Sequence, residues 1–399
     1  MDFLHGIEHL DVASDLVPVN DVVTAVIGLV GTSAADNVGQ LILCRSAQDD
    51  TQFGTEGTIP ESLKAIRMQD SAQGSALVLV INVAHPDDTI TASTIIGEIT
   101  SEGERTGLKL FDTAQPRFGF EPSIYIVPHY SALPAVVAEL IAMTNKTETM
   151  AYIDAPAGMT VEQVIEARNG SGQFAQLNEG QKLLFPQFLV SNPDYNAEDP
   201  ESNEYNTVPM SAYMAGLRAK VDLEKGWHYS SSNQTINGVA GMDVAITFGL
   251  SDKTCEANRL KAAGITPAVN MYGNGIVEWG NYTTGFPANT TPAALECVRR
   301  TRAIMKRSIG LASVQFIDRL HIRQADIDLV RNSVNQYLNR LSNEGKIIEG
   351  ECFYRKQDNP TSELALGHVT FAIEFTPSIP MQRLTYTYKI DTENLANIQ

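Results

Sequence analysis

Cysteine is scarce in this chain: four residues, at 44, 255, 297 and 352, with no C-x-x-C pair. That spacing excludes a dense disulfide framework and a zinc motif, and it suits buried thiols in a reducing compartment. Basic residues are also few. Twenty-nine Lys+Arg face forty-seven Asp+Glu, a net charge of −18, which argues against direct binding of nucleic acid, since that needs a basic footprint. No run approaches eighteen apolar residues, so no membrane insertion is expected. The opening MDFLHGIEHLDVASD has early acids and no basic segment followed by an apolar stretch, so it does not read as a signal peptide. What is present is ordinary globular composition, 43% hydrophobic and 19% charged, too apolar for a disordered chain. At roughly 100–200 residues per domain, 399 residues suit two or three domains, or one large domain with insertions. The expectation is a soluble, multi-domain protein made in the cytoplasm.

Nearly continuous β-branched and aliphatic runs at 22–30, 76–83, 123–127, 150–153 and 183–190 read as strands covered on both faces, the last interrupted by Pro186. Helical patterns lie between them at 61–69, 133–143 and 161–168. Strand and helix alternate to about residue 190, which predicts an α/β layer fold. Residues 191–207, SNPDYNAEDPESNEYNT, are polar, acidic and broken by two prolines, an exposed loop or projection. A helix is expected at 212–221, and short strands at 244–248 and 276–279.

After about residue 290 the composition changes. Helices are expected at 293–309 and 324–343; in the second, Ile327, Val330, Val334, Leu338 and Leu341 recur at helical spacing and Gly345 would cap the end. Strands are expected at 346–353, 369–375 and 384–390. Residues 297–340 hold nine cations (299, 300, 302, 306, 307, 319, 323, 331, 340) and three acids (318, 326, 328), a local +6 within an acidic protein. The stripe Arg299, Arg300, Arg302, Lys306, Arg307 is either a solvated face or a docking surface for an acidic partner.

The clearest strand is 384–390. Leu384, Tyr386, Tyr388 and Ile390 share one face, and Arg383, Thr385, Thr387 and Lys389 the other. Pro377 and Pro380 detach it from the preceding strand. Residues 4–12, with Ile7, Leu10 and Val12, have a similar character and are followed by Pro18. A strand at a chain end behind prolines is either an edge strand of its own domain or an arm that adds to a neighbour's sheet.

Motifs for chemistry are missing. Gly28-Leu29-Val30-Gly31-Thr32-Ser33 lacks the lysine of a phosphate loop. His5 and His9 are not in an H-E-x-x-H pattern, the remaining histidines are scattered, and Asn169-Gly170-Ser171-Gly172 has no nucleophile-elbow context. His85-Pro86-Asp87-Asp88 suits a capping turn, and the acids at 194–204 lack EF-hand spacing. No catalytic residue, cofactor site or metal site emerges. An α/β hydrolase or nucleotide enzyme is the competing reading, favoured only by the layer pattern.

Five ordered segments carry a family resemblance. GLRAKVDLEKGWHYSSSNQTINGVAG (216–241), Phe3-Leu4-His5-Gly6-Ile7, AVIGLVG (25–31), EGERTGL (102–108) with Pro116-Arg117, and WGNYT (279–283) together resemble contractile tail sheath proteins of phages and R-type pyocins, over essentially the whole chain. Ser231 stands where the family usually has Pro, and Tyr282 where it usually has Arg, which bears on loop contacts. The resemblance implies a non-enzymatic structural subunit without cofactors. Its partners would be copies of itself in stacked six-fold rings, the tail tube, and baseplate and tail terminator proteins, and its place the virion tail. It implies an α/β and α+β fold: an inner domain built from both chain ends with strand-exchanging arms, and an inserted outer α/β domain. The expected division is an N-terminal arm (1–20), an outer domain (21–285), an inner tube-facing domain (286–382) and a C-terminal arm (383–399). Under this resemblance Ile7, Leu10, Val12, Leu384, Tyr386, Tyr388 and Ile390 pair with neighbours, Arg331 and Arg340 face the tube, and Pro18, Pro377 and Pro380 serve as arm hinges.

Overall fold

The computed structural model describes residues 18–199 and 202–393. Its centre is an eight-stranded sheet. Strand β1 (Val26–Gly31) is buried along its whole length, as expected where helices cover both faces. It lies between β3 (Leu77–Asn82) and β4 (Ile124–Ile126), parallel to each, with Ile27 level with Val78 and Ile124. On the far side of β4 follow, all parallel, β5 (Met150–Asp154), β6 (Gln181–Phe185) and β10 (Ile265–Asn270). Both margins are antiparallel: β2 (Leu41–Cys44) beside β3, and β11 (Ile276–Glu278) beside β10. Period-two alternation sorts the side chains. Ile27, Leu29, Val78, Val80 and Ile126 pack against helices Thr58–Arg67 and Met210–Glu224 on one face. Val26, Val30, Leu79, Ile81 and Ile153 meet helices Pro134–Thr147 and Val161–Arg168 on the other.

Helix Met210–Glu224 is buried nearly all round because the sheet, the Thr58–Arg67 helix and the C-terminal region all press on it. Gly216 makes this possible, since a Cβ there would fall 2.8 Å from the Ile66 carbonyl oxygen. Beside the main sheet, β7 (Phe188–Ser191) pairs with β8 (Tyr205–Val208) and β9 (Gly241–Met242). Residues 193–199 of the acidic stretch between β7 and β8 are exposed.

The C-terminal region has its own apolar cluster. Helices Glu296–Ser313 and Gln324–Asn343 and the antiparallel hairpin of β12 (Ile347–Phe353) and β13 (Ala372–Pro377) enclose Ile304, Met305, Val334, Leu338, Leu341, Ile347 and Cys352. Val19 and Trp227 join the same cluster, so a residue near the start of the chain packs on its end. The 324–343 expectation matches the helix bounds, with Ile327, Val334, Leu338 and Leu341 buried. Gly345, at φ +71°, lies just past its end and donates its N–H to the Ser342 carbonyl, a left-handed stop.

Four expectations need correction. Residues 244–248 form no strand: Asp243 instead accepts the backbone N–H groups of Gly158 and Gln187, and Val244 and Ile246 spend their alternation on side-chain packing. Residues 384–390 pair with no strand among the described residues. The run 183–190 divides at Pro186–Gln187 into β6 and β7, which belong to different sheets. The 293–309 helix starts only at Glu296, after a short turn Pro292–Ala294, and continues to Ser313. Strands β2, β8 and β10 escape sequence reading. In β10 the obstacle is Pro267, which normally speaks against an interior strand; here it sits opposite Phe185 of β6 while its carbonyl accepts the Trp279 N–H at 2.8 Å.

Candidate assembly surfaces

The basic stripe is not a free docking surface. Arg299 is paired with Glu179 at 3.2 Å, Arg300 with Asp222, Arg302 with Glu179 at 3.5 Å, Lys306 with Glu148 at 2.6 Å and Arg307 with Glu121 at 2.9 Å. Arg299 and Arg300 are 5% and 4% exposed. The cations of helix Glu296–Ser313 are therefore taken up by acids of the α/β body, with Arg299 and Arg300 in an internal seam and Lys306 on its exposed rim.

At the centre of that seam lies a buried ionic network that sequence reading missed. Lys182 on β6 contacts Glu278 at the end of β11 and, at 2.6 Å, Glu296 in the first turn of the helix. The Tyr152 hydroxyl donates to Glu296. Alongside, Asp222 accepts from Arg218 of its own helix at 3.0 Å and from Arg300 at 2.7 Å, while Arg218 also donates to the Tyr229 carbonyl at 2.7 Å. Three cations thus meet three carboxylates, which satisfies the rule that buried charges are paired. Burial opposes ionisation of Glu296, but Lys182, Arg218 and Arg300 outweigh it and draw the carboxyl down to about 2. Glu278 goes the other way, raised by burial. Lys182 loses solvation too, yet its two carboxylates hold it above the usual lysine range. The visible signal was the i,i+4 pair Arg218/Asp222 inside the 216–241 motif; Lys182 and Glu296 give none.

The candidate tube-facing residues lie on helix Gln324–Asn343. Arg331 pairs with Asp328 at 3.0 Å; Arg340 stands 3.5 Å from Asp21 and 3.8 Å from Glu344, over the ring of Tyr337. Both are partly exposed, with just over a third of the side-chain surface in solvent. Asp21 also holds Lys346 at 2.7 Å and accepts from the Tyr337 hydroxyl at 2.9 Å. Burial would raise the Asp21 carboxyl, but these donors keep it below the ordinary value. Of the nine cations at 297–340, Arg319 alone has no ion pair among the described residues.

The C-terminal segment is the most exposed apolar surface. Leu384, Tyr386, Tyr388 and Ile390 are 64, 71, 89 and 90% exposed, a row that soluble surfaces seldom leave uncovered. Pro377 ends β13, Pro380 lies between that strand and the segment, and exposed Pro18 immediately precedes buried Val19. Ile7, Leu10 and Val12 lie outside the described residues. Among the described residues no cluster of His, Cys, Asp or Glu could hold a metal ion, and no helix is long and apolar enough to cross a membrane. The four cysteines are buried and unbridged.

This architecture is that of contractile sheath subunits. It is similar to the helical sheath of the anti-feeding prophage in its contracted state (TM-score 0.71, 18% identity, 98% of this chain and 100% of that one). It is likewise similar to the contracted sheath complex of an extracellular contractile injection system, PVC (TM-score 0.70, 14% identity, 99% of each chain). Residues 103–284 match the family model described as the phage tail sheath protein central domain. The chain is 30% identical to the tail sheath protein of Burkholderia phage BcepMu, over 100% of this chain and 99% of that one, and 27% identical to that of Escherichia phage P2, over 100% and 98%. It belongs to the phage tail sheath protein family.

Proposed function

We propose that copies of this chain polymerise as stacked six-fold rings around a tail tube, and that shortening of the sleeve drives the tube through a target envelope. The observation that carries this reading is the alternating segment Leu384–Ile390, exposed along its apolar face and without a strand partner among the described residues, in a chain that also has a two-stranded hairpin. Residues 383–399 act as a C-terminal arm and 1–20, with Ile7, Leu10 and Val12, as an N-terminal one. Residues 21–285 form the outer domain and 286–382 the inner, tube-facing one. Each arm adds a strand to a neighbour, and Pro18, Pro377 and Pro380 flank the hinges that flex while paired strands stay intact. Arg331 and Arg340 face the tube, and polar contacts of that kind can be released without exposing a large apolar patch. The end rings meet baseplate and terminator proteins, and the subunit works as a structural element of the virion tail without catalysis, cofactor or direct contact with nucleic acid.

Electron microscopy of the purified protein tests the reading. Tubes or rings are expected; discrete particles at every concentration and salt would overturn it.

A further inference from the structure

Of the charged side chains on residues 252–261, just before β10, three are spent locally. Asp252 accepts the Thr254 N–H at 2.7 Å, Glu256 accepts the Thr247 N–H at 2.8 Å, and Arg259 pairs with Glu162 at 2.9 Å. The other two, Lys253 and Lys261, have no ion pair among the described residues. Lys261 stands instead over the Trp279 ring, 5.5 Å from its centroid. Burial lowers its ammonium below the usual lysine range, with no carboxylate beside it to offset the lost solvation. The surroundings are aromatic. Phe248 meets Trp279 edge-on at 5.1 Å and lies 5.9 Å from Tyr272. The outermost members, Leu250 and Tyr272, are 71% and 68% exposed, and exposed Lys253 shares the loop of Leu250. Uncovered rings beside cations that lack an anion mark a contact surface, and the cations select an acidic guest.

The chain carries such a guest. In the stretch after β7, Asp194 and Glu198 are exposed and have no ion pair among the described residues. Exposed Pro193 and Tyr195 stand on either side of Asp194. Side chains of the stretch order its backbone: Asn192 Oδ1 accepts the Asp194 N–H at 3.0 Å, Asn196 Oδ1 accepts the Glu198 N–H at 3.1 Å, and Ser202 Oγ accepts the Asn196 N–H at 2.9 Å. Asx turns of this kind hold the backbone that carries both carboxylates before any contact is made, so docking loses less conformational freedom. Within one copy, no ion pair or ring contact joins stretch and patch among the described residues. We propose that residues 193–199 of one copy dock on the Phe248, Tyr272 and Trp279 patch of a second copy, Asp194 and Glu198 meeting Lys253 and Lys261 while Pro193 and Tyr195 lie on the exposed rings. Two different surfaces meet, so the contact is head-to-tail and propagates from copy to copy. This rests on the assembly reading above and adds a contact separate from the terminal arms.

Charge exchange in the full-length protein tests this. Lys253→Glu with Lys261→Glu, and separately Asp194→Lys with Glu198→Lys, are each expected to raise the protein concentration needed for polymers by about tenfold or more, since like charges then face each other. All four substitutions together are expected to restore most of that loss, with polymer read by sedimentation. No loss in either double variant, or no recovery in the fourfold one, overturns the proposal. Because Lys261 packs on Trp279, a second measurement leaves that position alone. Asp194→Cys with Lys253→Cys is bridged by a short bismaleimide, which reaches beyond the roughly 7 Å between Cα atoms that a disulfide allows. A ladder of linked subunits is expected from the assembled protein. Polymers that give no ladder, or a link that forms within single copies at high dilution, overturn the proposal. An unsubstituted protein that never polymerises would fault the assembly reading, whereas normal polymers without the link fault this contact alone.

Discussion

Arg300 and Asp222 meet across the seam between the C-terminal helix and the α/β body, with Nη1 donating to Oδ1 at 2.7 Å and Nη2 to the other carboxylate oxygen. Arg218, one turn before Asp222, holds the same carboxylate. One acid thus pairs with two buried arginines and ties helix Met210–Glu224 to helix Glu296–Ser313.

Replacing Asp222 by Leu leaves both guanidiniums in a dry site without the carboxylate they share. Removing one partner of a buried charge group typically costs about 3–5 kcal/mol, so the variant is expected to unfold at a much lower urea concentration, whereas Lys64→Ala, at an exposed position, leaves the midpoint unchanged. An unaltered midpoint for Asp222→Leu would show that the seam contributes little.

The pH dependence has two opposing contributions. Glu296 titrates at about 2 in the fold against an ordinary 4.5, so its stabilising effect is complete above pH 4.5 and is lost as pH falls toward 2. Asp154 is pushed up to about 6 from 3.8 by burial, against hydrogen bonds from Ser211, so its contribution is complete below pH 3.8 and declines as pH rises through 6. Asp154→Asn is therefore expected to flatten the loss of stability between pH 4 and 6 while leaving the collapse below pH 4.5 in place, read from thermal melts across that range.

Deletion of residues 383–399 removes only exposed side chains from the described part of the segment. The truncated chain is expected to keep its melting temperature and to sediment as a monomer. Normal polymers from it would remove the C-terminal arm from the assembly.

Arg331→Glu with Arg340→Glu is expected to reduce co-assembly with the tube while tube-free polymers form as before. Both arginines are partly exposed and their intrachain ion pairs are worth roughly 0–1 kcal/mol each, so the fold should survive. Equal recovery of tube with the doubly substituted and native sheaths would take this helix out of the contact.

Leu338 is fully buried between helix Gln324–Asn343 and the hairpin. Its truncation to Ala is expected to cost about 2–5 kcal/mol, seen as a lowered denaturation midpoint.

Local chemistry determined much of this protein from the sequence alone. Both-face burial wrote itself into the β1 and β3 runs, a 3.6-residue period and a trailing glycine set the bounds of the Gln324–Asn343 helix, and ordered motifs placed the chain in its family. Tertiary structure decided what depends on partners distant in sequence. Strand β10 tolerates Pro267 only because of where β6 and β11 lie, and residues 384–390 have a strand's pattern but no ladder among the described residues, because alternation specifies faces while pairing needs a neighbouring edge. The basic stripe was the sharpest divergence: a row of arginines looks the same on a solvated helix and on one whose acids come from Glu121, Glu148, Glu179 and Asp222. Charge pairing is set by proximity in space, and no spacing along this chain encodes it.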